Sequence, residues 1–596
     1  MNQDSKNPQK TFILLAFILA LGIFLRLLNL GDKPYHHDEA IFGMYGYYQF
    51  KDDLVAYYRY IPMLNGPVLF YFLQGLFNLF GTADWVGRLP SAILGSLICF
   101  VPLITSRIFP KKISEYSIVL ATFLIALSPI MIYFSRFLRH EYLIFWIYVL
   151  FLWGYFGTKG FTKIFILTLL LWLHWCVKEN FYVFFAIILG FLIYEFILES
   201  IQKKSLSGIK IFFQLKNITP IIQGISLGSI VGLAFFYNLY SAFGKYKDGF
   251  YDGLYRQSFF YWFNQHSIER IKGPFSFHLF MLTWYELITL LLFVSMLVFQ
   301  IYRYYNKNQK IFLVIFIFSL HLISSMFDGM ILDLSIYRDF FKLKIPIDIF
   351  VFHFLLFISL IHTTIIWLKD KKVNAFFFYL FIAHFFTYSY LGEKVPWLAM
   401  YPLFFGLIWL IACVEEENLW KLIPKKNILV IPIIVIALFI YNTTIAIKTS
   451  FFRSSNIEEF IIQVHPVEEY KKTLIDIMRA VEKYKNQKPN PVKALLLDDP
   501  TWITTWYLKD TGIICVFDPK AQPITNYDIV ISIKQQPELN LTHSQEWVPY
   551  SGWWVPDYNK LSWTNMFAYS LSHLAWNESG LMRVYVYTKK GFYGPL

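Results

Sequence analysis

Apolar runs of about 18 or more residues recur along this chain from residue 11 to residue 447. Each is long enough to cross the ~30 Å hydrocarbon core of a bilayer as a helix. Inside hydrocarbon, every backbone hydrogen bond has to be satisfied within the segment itself. That constraint makes the fold class a polytopic α-helical membrane protein. The balance agrees: 57% of the 596 residues are hydrophobic and 16% charged, far fewer charges than a soluble chain carries. The runs predict spans at roughly 11–30, 89–108, 116–134, 141–157, 163–177, 181–198, 219–240, 281–301, 311–328, 346–368, 374–391, 395–413 and 428–447, about thirteen in all. No small-residue cleavage site follows the first run, which reads as an uncleaved helix.

The run 66–81 is about 16 residues long, short for a span, and reads as an interfacial helix. Basic residues decide between the two. With 66–81 outside the membrane and the N-terminus cytoplasmic, Lys111-Lys112, Lys159, Lys203-Lys204, Arg303, Lys371-Lys372 and Lys425-Lys426 all fall in cytoplasmic loops. The net charge of +13 is thereby explained by topology, and no groove-reading motif points to nucleic acid. The same assignment puts Asp38, Glu39, Arg88, Arg136, Arg139, Glu141, Lys178, Glu179, Glu393 and Lys394 together on the outer face, although they come from distant stretches of sequence. Charges gathered at the mouth of an apolar bundle are costly to keep and mark function.

After residue 449 no run is long enough to span. The stretch 466–485 has helical apolar spacing, and 492–497, 513–517, 529–533 and 584–587 are short β-branched or aliphatic runs between turn residues. Two parts are expected: a transmembrane module, 1–449, with a first outer loop at 31–88, and a small extracytoplasmic α/β domain, 450–596. The four cysteines show no metal-ligand spacing and no disulfide framework.

The polar segments are Tyr35-His36-His37-Asp38-Glu39-Ala40, Arg88-Leu89-Pro90-Ser91-Ala92, Ser135-Arg136-Phe137-Leu138-Arg139-His140-Glu141, Lys178-Glu179, Glu393-Lys394-Val395-Pro396-Trp397-Leu398 and His465-Pro466-Val467-Glu468-Glu469-Tyr470. In this order, and on one side of the membrane, they resemble the GT-C membrane glycosyltransferases. The protein O-mannosyltransferases and aminoarabinose transferases are examples, and the family of the flippase activity-associated protein Agl is closer. One departure is Asn65-Gly66-Pro67, where relatives often carry Pro-Pro or His-Pro. The resemblance implies transfer of a sugar from a polyprenyl-phosphate lipid to an extracytoplasmic acceptor (protein, lipid or glycan) at the plasma membrane. It also implies that the outer loop 244–274 closes over the donor.

Such a transfer needs a base for the acceptor hydroxyl and cations for the leaving phosphate. Asp38 is the expected base and Glu39 the alternative. Arg136, Arg139, Lys178 and Lys394 are the expected phosphate ligands, against a competing reading as snorkelling side chains. His37, Glu141, Glu179, Glu393 and Trp397 are expected to contact substrate, with Glu179 and Glu393 holding their neighbouring lysines. No cofactor is expected. A divalent ion on His36, His37 and Asp38 is the lesser alternative, because adjacent histidines chelate one ion poorly. The rival functions are a transporter or flippase component for the lipid-linked sugar, or a non-catalytic partner in envelope glycan assembly; the internal repeats common in transporters are not evident.

Overall fold

The computed structural model describes residues 8–51, 57–104, 109, 113–202, 215–268, 273–310, 337–340, 343–421, 430–484, 491–498, 501–517 and 522–592. The expected span 311–328 lies outside them.

Six described helices are long and apolar enough to cross a membrane, or seven if one bent pair counts as a single span. Shorter apolar helices, such as Glu141–Gly157, accompany them. Val68–Phe80, in the run read as interfacial, has 13 residues; at 1.5 Å per residue it reaches only about 20 Å. Side chains such as Phe12, Ile230 and Leu291 stay more than half exposed on these helices, as lipid-facing residues do.

Among the described residues the expected span 89–108 divides into Asp84–Ile98 and Val101–Ile104, and two further expected spans are broken. The 116–134 run is two helices, Glu115–Ala126 and Pro129–Ser135, bent by 53°. The 281–301 run splits at Glu286, between Phe277–Tyr285 and Leu287–Tyr304. The two breaks meet. Ser128 is the N-cap and Pro129 the first residue of its helix, so the missing proline N–H costs nothing there. The Glu286 carboxylate accepts from Ser128 Oγ and, at 3.1 Å each, from Ile130 N and Thr289 Oγ1. One buried carboxyl thus satisfies the donors that a helix start leaves open.

The C-terminal segment folds into a six-stranded mixed sheet in the spatial order His465–Pro466, His543–Trp553, Gly580–Lys589, Ile529–Ser532, Lys493–Leu496, Ile514–Val516. The last three pair in parallel and the rest antiparallel. Four of these strands and the helix Glu468–Tyr484 follow the apolar pattern of the sequence. His543–Trp553 does not: it is largely polar, has a register shift between Pro549 and Ser551, and reads locally as a loop.

The sheet does not stand apart. The helix Val430–Ile447 runs on through a π-helical turn, Lys448–Phe452, with no extended linker. One hydrophobic cluster joins Tyr35, Ile41, Leu69 and Phe70 to Leu474, Ile477, Trp506 and Val584. Trp506 is fully buried, stacks on Tyr35 at 4.7 Å, and donates to Asp84 Oδ1 at 2.7 Å. Burying an indole contributes on the order of 5 kcal/mol. The other Asp84 oxygen takes Lys471 Nζ at 2.9 Å and Tyr507 Oη at 3.0 Å. The region read as an outer loop and the C-terminal segment therefore share one core, and Asp84 is the polar pin between them.

Candidate active site

Asp38 and Glu39 lie in the first turn of the helix His37–Lys51. Adjacent residues on a helix point about 100° apart, and here the two carboxylates part ways. Glu39 turns into the protein and is fully buried. It takes a two-pronged bond from Arg88, Nε to Oε1 and Nη2 to Oε2, each 2.7 Å. It also accepts from Leu138 N at 2.8 Å and His36 N at 3.0 Å. The other Arg88 hydrogens go to the carbonyls of Leu30, Lys33 and Pro34. Burial pushes the Glu39 carboxyl up, and Arg88 more than offsets this, holding it down at about 2. Glu39 is a closed knot that shapes the loop before the helix, and it faces no open space.

Asp38 turns outward, with a side chain 30% exposed. It starts a row of four alternating charges. Asp38 Oδ2 bonds Arg139 Nη1 at 2.5 Å, Arg139 Nε bonds Glu141 Oε2 at 3.3 Å, and Glu141 Oε1 bonds Lys178 Nζ at 2.6 Å. Burial raises the Asp38 carboxyl, but the Arg139 guanidinium outweighs it and leaves it at about 2. Burial draws the Lys178 ammonium down, against the pull of Glu141. Arg139 also lies 3.7 Å from the centre of the Trp397 ring, a cation–π contact that fixes the plane of the fork. Pro396 opens the short 3-10 turn Pro396–Ala399 that presents this ring.

These residues border a cavity of about 700 Å³. His37, Asp38, Arg139, Lys178, Glu179, Glu393 and Trp397 line it, and apolar residues such as Ile41, Val183 and Leu398 complete its wall. Glu141 stands behind Arg139 and Lys178. Phe259, Tyr261 and Trp262 of the helix Ser258–Ile268, within the segment expected to close over the site, form part of the wall. Gln463, Val464, Tyr550 and Ser551 bring the C-terminal segment to the same space.

Three expectations are corrected by this geometry. Arg136 is not at the cavity: its guanidinium donates to the carbonyls of Leu25, Leu28 and Asn29 at the end of the first helix. Lys394 bonds the carbonyls of Ser389 and Leu391 at the end of Lys372–Tyr390. Both cations serve helix C-termini, whose unsatisfied carbonyls and dipole attract positive charge. Lys178 pairs with Glu141 rather than with its neighbour Glu179.

His36 is committed as well. Its Nδ1 accepts from Asp38 N at 3.1 Å, so its Nε2 donates to Gln463 O at 2.7 Å. Burial lowers its pKa, which suits a neutral ring in that tautomer. Gln463 and Val464 both have positive φ, 39° and 48°, a strained conformation for a β-branched residue, and they form one edge of the cavity. Among the described residues no group of three or more His, Cys, Asp or Glu side chains is placed to hold a metal ion.

Lys33 went unnoticed in the sequence. Its ammonium is buried without a hydrogen-bond partner among the described residues, 4.4 Å from the Tyr133 ring and 4.7 Å from the Phe137 ring, and burial lowers its pKa well below the usual lysine value. Asn65, of the Asn65-Gly66-Pro67 departure, also borders the cavity. A Cβ on Gly66 would come within 2.2 Å of Cys176 O, so only glycine lets the chain pass the end of Gly160–Val177, next to Lys178.

No protein-family model matches the chain, and no curated protein matches it by sequence. Solved structures do. ArnT from Cupriavidus metallidurans bound to undecaprenyl phosphate is similar over 98% of this chain and 99% of its own, with a TM-score of 0.50 and 10% identity. The apo Archaeoglobus fulgidus oligosaccharyltransferase is similar over 89% of this chain and 70% of its own, with a TM-score of 0.47 and 14% identity. The end-to-end likeness to ArnT identifies the fold as GT-C, that of a multi-pass membrane protein.

Proposed function

We propose that this chain is a membrane glycosyltransferase that moves a sugar from a polyprenyl-phosphate donor to an extracytoplasmic acceptor. The observation that carries the reading is the charge row Asp38–Arg139–Glu141–Lys178, bordering a cavity with largely apolar walls. Its fold neighbour ArnT was solved with undecaprenyl phosphate, which supports a donor of this class.

The row also accounts for the chemistry. Among the described residues Arg139 bonds through Nη1 and Nε, so its Nη2 edge is available to a phosphate oxygen. The acceptor oxygen attacks the anomeric carbon, the bond from that carbon to the phosphate oxygen breaks, and polyprenyl phosphate leaves. Asp38 takes the proton of the acceptor hydroxyl. At about 2 it is a weak base towards a resting hydroxyl, but the proton becomes acidic as the new bond forms, so transfer is late. Once Asp38 is protonated, Arg139 keeps only Glu141 of its two carboxylate partners, just as the leaving phosphate gains negative charge. The guanidinium is then free to stabilise it, an interaction stronger in the transition state than in the ground state. Lys178 and Glu141 orient Arg139, and Trp397 holds its plane.

The test uses membranes containing the protein and a radiolabelled polyprenyl-phosphate sugar, with release of label from the lipid as the readout. Release by the wild type and its loss in Asp38→Asn support the reading. Release that is unchanged in the variant removes Asp38 from the mechanism.

A further inference from the structure

Glu179 stands out among the charged groups of the cavity. It is 3% exposed, it borders the cavity, and apart from the adjacent Tyr60 hydroxyl its carboxyl oxygens have no hydrogen-bond partner among the described residues. Its sequence neighbour Lys178 is engaged with Glu141 at 2.6 Å. Burial without a dedicated cation raises its carboxyl to about 7. An ionisable group left this way costs stability and is kept for something that arrives.

What surrounds it defines the visitor. Asn65 Oδ1 and Trp262 Nε1, both bordering the cavity, are also buried without partners among the described residues. The set mixes acceptors (Glu179, Asn65) with a donor (Trp262). A sugar hydroxyl both donates and accepts, so a polyol can satisfy all of them at once. The aromatic residues Tyr182, Tyr261 and Trp262 line the same cavity, as a sugar-binding wall would. A carboxylate-bearing sugar would instead meet the Glu179 carboxyl, whose neighbouring cation Lys178 is engaged with Glu141.

We propose that Glu179 binds the hydroxyls of the donor's sugar, and that this sugar is electrically neutral rather than a uronate. The inference rests on the polyprenyl-phosphate reading above and adds the substrate class.

The experiment uses the full chain in lipid nanodiscs and measures dissociation constants by tryptophan fluorescence. The probes are undecaprenyl phosphate alone, its glucose, mannose and galactose conjugates, and its glucuronate conjugate. The quantity read is the affinity for each sugar lipid relative to the bare lipid phosphate. At least one neutral conjugate is expected to bind about tenfold more tightly than the bare lipid, the effect of one or two hydrogen bonds to a charged group, and the glucuronate conjugate no more tightly. In Glu179→Gln that tenfold advantage should shrink towards unity, and the glucuronate conjugate should gain on the neutral ones; Glu179→Ala serves as the second variant. An advantage that survives in both variants, or a wild type that favours glucuronate or gains from no neutral sugar, overturns the inference. If bare undecaprenyl phosphate itself fails to bind, the donor reading falls and this inference falls with it. The two failures are thus distinct.

Discussion

Arg139 Nη1 and Asp38 Oδ2 lie 2.5 Å apart, although 101 positions separate them in the chain. This bond ties the base of the proposed reaction to the cation that receives its leaving group. The carboxylate is kept ionised by the guanidinium, and in the proposed reaction the guanidinium holds the phosphate more strongly once the carboxylate takes a proton.

Asp38→Asn should reduce sugar transfer by roughly 10²–10⁴-fold, the usual contribution of a general base. Purified yield and melting temperature should stay near wild type, because the side chain is 30% exposed. Turnover in membranes and a detergent melt read the two separately. A variant that transfers normally would exclude the mechanism.

Arg139→Lys retains a positive charge but loses the fork and the contact with Trp397 at 3.7 Å. Its rate should drop roughly 10²-fold, comparable to removing one transition-state donor. The fall should appear in kcat more than in KM. An equal rise in KM with kcat intact would make Arg139 a ground-state anchor instead.

Glu39→Gln should behave differently from the neighbouring substitution. It leaves the buried Arg88 without its charge partner, at a cost of about 3–5 kcal/mol, so the outcome is a lowered melting temperature. The wild-type pair also has a pH signature. The folded carboxyl sits at about 2, below the ordinary 4.5, so folding favours its ionised form. That stabilisation, about 3 kcal/mol, is complete above 4.5 and is lost as pH falls from there towards 2. Denaturation of wild type across that window, with a flatter profile in Glu39→Gln, checks the sign.

Gly66→Ala would bring a Cβ to 2.2 Å from Cys176 O, a backbone atom that cannot swing aside. Overpacking of this kind costs about 1–3 kcal/mol. Lys178 follows two residues after Cys176, so transfer should fall as well as stability. Melting and turnover that both match wild type would show that the helix end can shift freely.

Orientation is open to a direct chemical test. Leu541 is 88% exposed, while Cys99, Cys176 and Cys413 are buried and Cys515 is intermediate. In a Cys515→Ser background, a cysteine introduced by Leu541→Cys should react with an impermeant maleimide on intact spheroplasts. Reaction only after lysis would put the C-terminal sheet on the cytoplasmic side and reverse the proposed topology.

Much of the cavity was legible before any coordinates. Asp38, Arg139, Lys178 and Trp397 sit beside the ends of apolar segments, and counting those segments assigns them one side. That count says nothing about which way a side chain turns at a helix end. Arg136 and Lys394 satisfied the same criteria and turned to carbonyls at helix C-termini. Glu39 was indistinguishable from Asp38 until Arg88 closed on it. The strand His543–Trp553 was hidden because its partner strands, not its own residues, supply its pattern.

The amino-acid order alone determined that the chain lives in a bilayer, since hydrocarbon admits only long apolar helices whose backbone bonds are internal. It also placed charged residues beside the ends of those apolar segments. Only the tertiary structure decided which of those charges share a cavity and which are spent on helix ends. Packing chooses among rotamers and partners that differ by a few ångströms, and a one-dimensional pattern carries no record of that choice.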